Sequence, residues 1–89
     1  MGVTVLIPST LRQYTERQSN IVLEGKTVRE ILENLKSRFP ALDKQVFSSG
    51  VSLNLIFYIN DQDTRSLKGM DTPVNEGDAL SMILALAGG

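Results

Sequence analysis

The sequence predicts an α+β fold in which a mixed sheet of four to five strands packs on one main helix. Three observations predict it. The chain has 89 residues, enough for one domain with one modest core. A single segment, from Thr27 to Phe39, carries a helical apolar stripe. The apolar runs on either side of it are short and strand-like, with Gly, Pro and polar residues between them.

Val3 to Ile7 is rich in β-branched residues and alternates, which indicates a strand that Pro8 and Ser9 stop. Leu11 to Ser19 is polar and is expected to turn the chain round. Ile21-Val22-Leu23 reads as a short second strand. Glu24-Gly25-Lys26 breaks it, with Gly25 expected to supply a positive φ. Thr27 is placed to cap the helix, with Glu30 as its capping-box partner. Val28, Ile31, Leu32, Leu35 and Phe39 form the buried stripe, and Pro40 ends the helix.

Ala41 to Phe47 reads as a short helical turn and Ser48-Ser49-Gly50 as a loop. Leu53 to Ile59 is expected to be the longest strand, followed by a polar turn at Asn60-Asp61-Gln62-Asp63. Gly69, Pro73 and Gly77 make Lys68 to Asp78 mostly loop, with room for a brief strand. Leu80 to Leu84 is the final strand. Leu32, Leu35, Phe57 and Met82 are expected to be buried together between helix and sheet. The order strand, strand, helix, strand, short strand, strand is that of a β-grasp (ubiquitin-like) domain. A ferredoxin-like split fold is the rival, and it needs a second full helix that residues 62 to 78 do not provide.

Composition excludes several classes of function. The formal net charge is −1, from nine basic and ten acidic side chains. Lys and Arg are scattered from Arg12 to Lys68 without a basic stripe, and aromatics are few, so nucleic acid is not an expected partner. The chain has no Cys and no His, which removes thiolate chemistry, the usual neutral-pH base and the commonest metal ligand. Asp61, Asp63 and Asp71 do not follow a calcium-loop pattern, so no metal site is expected. Ser9, Ser48, Ser49 and Ser81 have no evident base, and independent enzyme activity is not expected. No apolar run reaches membrane-spanning length and no secretory signal precedes the first strand, so the cytoplasm is the expected location.

The tail carries the chemical signal. The expected division is a domain over residues 1–84 and a flexible tail over 85–89 that ends Ala87-Gly88-Gly89. Paired glycines lack Cβ atoms, so such a backbone can thread a channel too narrow for other residues. The α-carboxylate of Gly89 is inert toward nucleophiles while ionised, and adenylation by ATP would make it an electrophile. Along the last strand, Ser81 marks the outward parity, so Leu80 and Met82 should enter the core. Ile83 is then apolar but outward, and with Leu86 it makes a candidate partner-docking surface.

The chain resembles the ThiS/MoaD sulfur-carrier family over essentially its whole length. The tail Ala87-Gly88-Gly89, preceded by Asn75-Glu76-Gly77-Asp78-Ala79-Leu80, carries that resemblance. Tyr58-Ile59-Asn60-Asp61-Gln62-Asp63-Thr64-Arg65 makes it most similar to the subgroup that carries sulfur for cysteine synthesis. The resemblance implies a Gly89 thiocarboxylate made by a ubiquitin-activating-type adenylating enzyme. That partner uses ATP and Mg, and a sulfur donor protein or sulfide supplies the sulfur. Gly88 and Ala87 would thread into the partner. In the cysteine branch a pyridoxal-phosphate cysteine synthase takes the sulfur, and a peptidase releases cysteine. No cofactor is implied on this chain itself, and Asn60, Asp61 and Arg65 receive no chemical step.

Three alternatives stay open. In the first, the same chemistry serves a large molybdopterin-synthase subunit, although Ile83-Leu84-Ala85-Leu86 lacks the prolines often found there. In the second, the chain is a ubiquitin-like modifier of lysines. In the third, it is a non-reactive β-grasp binding module.

Overall fold

A computed structural model describes residues 2–48 and 55–84. The order begins with β1 (Val3–Leu6), a 3-10 turn (Ser9–Tyr14), β2 (Asn20–Leu23) and the main helix α1 (Val28–Arg38). A short α2 (Pro40–Leu42) runs into a π-helical turn (Asp43–Phe47). Then come β3 (Leu55–Ile59), β4 (Gln62–Asp63), 3-10 turns at Thr64–Ser66 and Gly69–Asp71, and β5 (Ala79–Leu84). The expected residues Ser49, Gly50, Leu53 and Asn54 lie outside the described residues.

The five strands form one sheet in the order β2-β1-β5-β3-β4. β1 and β5 run parallel, and the other neighbours are antiparallel. This is the β-grasp order, with a first hairpin, a crossing helix and a return that places β5 in the middle. Val3, Val5, Ile21, Leu23, Leu80 and Met82 are buried with Val28, Ile31, Leu32, Leu35 and Phe39, so the whole expected helical stripe is core.

The start of α1 is capped as the sequence indicates. The Glu30 backbone N–H donates to Thr27 Oγ1 at 3.2 Å. The return bond differs: Glu30 Oε1 accepts from the backbone N–H of Lys26 at 2.9 Å, one residue before the cap. Pro40 both follows the end of α1 and opens α2, where its missing N–H costs nothing. The helical turn expected from Ala41 thus starts one residue earlier, and it brings Leu42 and Val46 into the core.

Four expectations are corrected. The Leu11–Ser19 segment is not simply a polar turn, because Leu11 and Thr15 are buried. Thr15 is satisfied there by donating its hydroxyl to the Gln18 carbonyl at 2.9 Å. Left-handed backbone falls at Glu16 and Arg17, and Gly25 has no positive φ. A Cβ on Gly25 would sit 2.8 Å from Ile31 Cδ1 and 3.1 Å from the Ile31 nitrogen, so this glycine provides close approach between the β2 exit and α1. The brief strand is Gln62–Asp63 rather than part of Lys68 to Asp78, which holds a 3-10 turn and an isolated bridge from Pro73 to Thr27. Phe57 lies opposite the buried Met82 but remains partly exposed.

Candidate functional site

β5 is central because both of its edges are used. It pairs with β1 through Thr4–Ala79, Val5–Leu80 and Leu6–Ser81, and with β3 from Leu55–Leu84 to Ile59–Leu80. β5 is therefore paired on both edges at Leu80 and Ser81, and from Met82 to Leu84 it is paired with β3 alone. The run Ala79–Leu84 alternates as expected, with Leu80 and Met82 buried and Ile83 44% exposed.

Register shows what surrounds Ile83. Ile56 stands directly opposite it, and Tyr58 stands opposite Ser81. Leu6 pairs with Ser81 from the other side. Ile56, Tyr58 and Leu6 are partly exposed. These side chains share the sheet face that α1 leaves uncovered, and they surround Ile83 with further apolar surface. Ile56 and Tyr58 escape a sequence reading because Leu55–Ile59 is apolar throughout and offers no polar residue to mark its parity. The signal that finds them is Ser81, carried across the sheet by register.

The edge of this face is polar. Asn60 has φ +55°, a conformation asparagine tolerates, and with Asp61 it makes the tight turn into β4. Its side chain donates to Asp78 Oδ1 at 3.3 Å and accepts from the Ala79 N–H at 3.1 Å. The β3–β4 turn is thereby fastened to the start of β5. Asp63 lies opposite Tyr58. Arg65 Nε donates to both oxygens of Asp63 at 3.1 Å, and Arg65 Nη2 donates to Oδ2 at 2.6 Å. The Arg65 backbone N–H donates to Asp63 Oδ1 at 2.9 Å. The side-chain hydrogen bond from Arg65, aided by this backbone donor, holds the Asp63 carboxyl below its ordinary value. The same bond raises the Arg65 guanidinium.

Among the described residues, no group of three or more His, Cys, Asp or Glu is placed to hold a metal ion. No helix there is long and apolar enough to cross a membrane. Of the expected site residues, Ile83 is placed on the open face, while Leu86, Ala87, Gly88 and Gly89 lie outside the described residues.

Comparison with known proteins bears on β5 and on the residues after it. Residues 5–89 match the ThiS family. The chain belongs to the ThiS family. It is 31% identical to the sulfur carrier protein CysO of Mycobacterium tuberculosis (strain ATCC 25618 / H37Rv), over 93 aligned positions that cover 100% of both chains. Among solved structures, this ThiS-family chain is similar to a chain of the Amycolatopsis orientalis BexX/CysO complex. The TM-score is 0.85 at 32% identity, covering 99% of this chain and 100% of the other. Mycobacterium tuberculosis CysO itself gives a TM-score of 0.81 at 27% identity, covering 96% and 100%. The ubiquitin-like β-grasp fold expected from the order of elements is thus shared with these CysO structures.

Proposed function

We propose that this chain is a sulfur carrier that bears a thiocarboxylate on Gly89 and gives its sulfur to cysteine biosynthesis. The observation that carries this reading is the end-to-end alignment with a CysO sulfur carrier, which takes in the Gly88-Gly89 terminus. The central position of β5 supports it, since the strand leading to the tail is held on both edges at its start and by β3 as far as Leu84. A rigid exit strand lets a partner locate the terminus by docking on the sheet.

The chemistry is assigned to the tail and its partners, with this chain as co-substrate rather than enzyme. A Gly89 carboxylate oxygen attacks the α-phosphorus of ATP, held with Mg by a ubiquitin-activating-type partner, and pyrophosphate leaves. Hydrosulfide, free or delivered by a donor protein, then attacks the carbonyl carbon. The C–S bond forms as AMP departs, and a proton is released. Gly88 and Ala87 thread the narrow approach to the partner's site. Ile83, with Ile56 and Tyr58 beside it, provides the docking face, and Arg65 stands at its rim. The sulfur acceptor is supplied by a pyridoxal-phosphate cysteine synthase. We place these steps in the cytoplasm, where ATP is available.

The test is the intact mass of the chain after incubation with the activating enzyme, ATP and sulfide. Exchange of one terminal oxygen for sulfur adds about 16 Da, located in the last peptide and removed by nucleophiles. Fragmentation separates this from oxidation of Met1, Met70 or Met82. Deleting Gly88 and Gly89 abolishes the mass gain and leaves the melting temperature unchanged. An unmodified carboxylate with every cognate activating enzyme overturns the reading. Co-purification with a molybdopterin-synthase subunit alone, or Gly-Gly remnants on lysines, would redirect the assignment of the acceptor.

A further inference from the structure

The two edges of the sheet differ in how they are guarded. β4 forms one edge, is two residues long and carries the Asp63–Arg65 ion pair. β2 forms the other, and Asn20–Leu23 holds neither a charged residue nor a proline, the usual guards of an exposed edge. Val22 is 53% exposed there.

The phase of the β1–β2 ladder decides which backbone groups of β2 point outward. The Ile7 N–H donates to the Ser19 carbonyl at 2.8 Å, which continues the register that sets Val5 opposite Ile21 and Val3 opposite Leu23. Bonded and non-bonded pairs alternate along an antiparallel ladder, so Ser19, Ile21 and Leu23 turn their backbone groups to β1. Asn20, Val22 and Glu24 turn theirs away from it. The Asn34 side chain agrees with that phase, because its amide reaches the outward carbonyl of Glu24 at 2.6 Å. Beyond the other end of β2, the Gln18 N–H donates to the Thr15 carbonyl at 2.9 Å. Between these two occupied positions, the outward N–H and C=O of Asn20 and Val22 meet no partner among the described residues.

This stretch is self-complementary. A two-fold axis through Ile21 sets Asn20 of each copy opposite the second copy's Val22, and two reciprocal pairs of N–H···O=C bonds form. They use every unbonded outward group and no bonded one. Moving the axis to Asn20 would call on the Gln18 N–H, and moving it to Val22 would call on the Glu24 carbonyl, both already engaged. The charged residues flanking the stretch are Glu16 and Arg17 at one end and Glu24 and Lys26 at the other. Antiparallel pairing brings one end against the other, and each holds one acid and one base, so the ends that meet do not repel.

We propose that β2 is a self-association edge: two copies of this chain join β2 to β2, antiparallel about Ile21, and merge their five-stranded sheets into one. The axis stands perpendicular to the sheet, so both open faces look the same way and both Ile83 side chains stay uncovered. The pairing presents two docking faces side by side. An interface this small makes the dimer weak and dependent on concentration. It rests on the backbone of β2 and not on what Gly89 carries, so it stands or falls apart from the sulfur reading.

The experiment is sedimentation velocity on the full chain from about 10 μM to about 1 mM, with amide hydrogen exchange by NMR over the same range. The mass should rise from 9.8 kDa toward twice that value. The Asn20 and Val22 amides should exchange several-fold more slowly at the upper end, while Ile21 and Leu23 keep the rates set by β1. Val22→Pro removes an outward N–H and no bond to β1, so it should hold the chain monomeric, with unchanged Leu35 and Leu80 resonances verifying the fold. Val22→Lys keeps the N–H, places a charge on the edge, and should weaken the dimer several-fold. A monomer at every concentration overturns the proposal and leaves the edge to an extended segment of another protein. A dimer that survives both Val22 variants, or one that perturbs Ile56 and Ile83 instead of Asn20 and Val22, also overturns it.

Discussion

Ile56 and Ile83 stand directly opposite one another across the β3–β5 ladder, on the face of the sheet that α1 does not cover. An aliphatic pair at the centre of an open sheet face is a natural anchor for a second protein, with the polar Asp63–Arg65 pair at the edge.

Ile83→Lys tests the anchor. Ile83 is exposed, so stability should change by no more than about 1 kcal/mol. Affinity for the activating partner should fall by about 30-fold, the loss of a roughly 2 kcal/mol hot spot. Calorimetric titration with the purified partner measures it. Unchanged affinity in a folded variant would show that the partner docks elsewhere.

Leu35→Ala tests the core beneath the sheet. Leu35 is fully buried, so the change should cost about 2–5 kcal/mol in urea unfolding. Leu32→Ala should fall at the lower end of that range, because Leu32 borders a groove between α1 and β3 and the space it leaves opens toward it. A Leu35 loss below about 1 kcal/mol would contradict the packing of α1.

Gly25→Ala separates two roles for a glycine. If Gly25 served only a turn with positive φ, its neighbours would be irrelevant. Here the new methyl meets Ile31, which is itself fully enclosed. Destabilisation of about 1–3 kcal/mol is expected from this overpacking. The Asn34 side-chain amide donates to the Glu24 carbonyl at 2.6 Å, and its amide-proton exchange should report the same disturbance. Equal or greater stability than the parent chain would show that the segment yields freely.

The Asp63–Arg65 pair predicts a pH dependence. The Asp63 pKa is lowered in the folded chain, first by the Arg65 side-chain hydrogen bond. The contribution is thus present above the ordinary value of 3.8 and is lost as pH falls below it through the folded value. In Arg65→Gln, the carboxyl-carbon NMR titration of Asp63 should move up toward 3.8. A midpoint that does not move would mean that Arg65 is not the group holding it down.

Much of this architecture was legible in the residues, for identifiable reasons. α1 announces itself through a cap and a 3.6-residue stripe, and all five stripe positions are buried. One serine, Ser81, orients β5 correctly. β4 was misplaced because two residues contain no period to read. The burial of Leu11 and Thr15 was hidden because a 3-10 turn makes no long stripe, and a buried threonine looks polar until its acceptor is known. The open face was half legible: Ile83 could be oriented from its neighbours, whereas Ile56 and Tyr58 needed the pairing register. The glycines of the tail were read from chemistry alone.

The parallel pairing of β1 with β5 joins an early segment of the chain to a late one. Until Ala79–Leu84 has left the ribosome, the β1–β2 and β3–β4 hairpins have no ladder between them. The sheet is closed by the strand synthesised after all the others, a long-range joining step that is slow compared with forming either hairpin or α1. A nascent chain with an incomplete sheet therefore lacks the Ile56–Ile83 pair, and the open apolar face comes into being only with the element that completes the ladder.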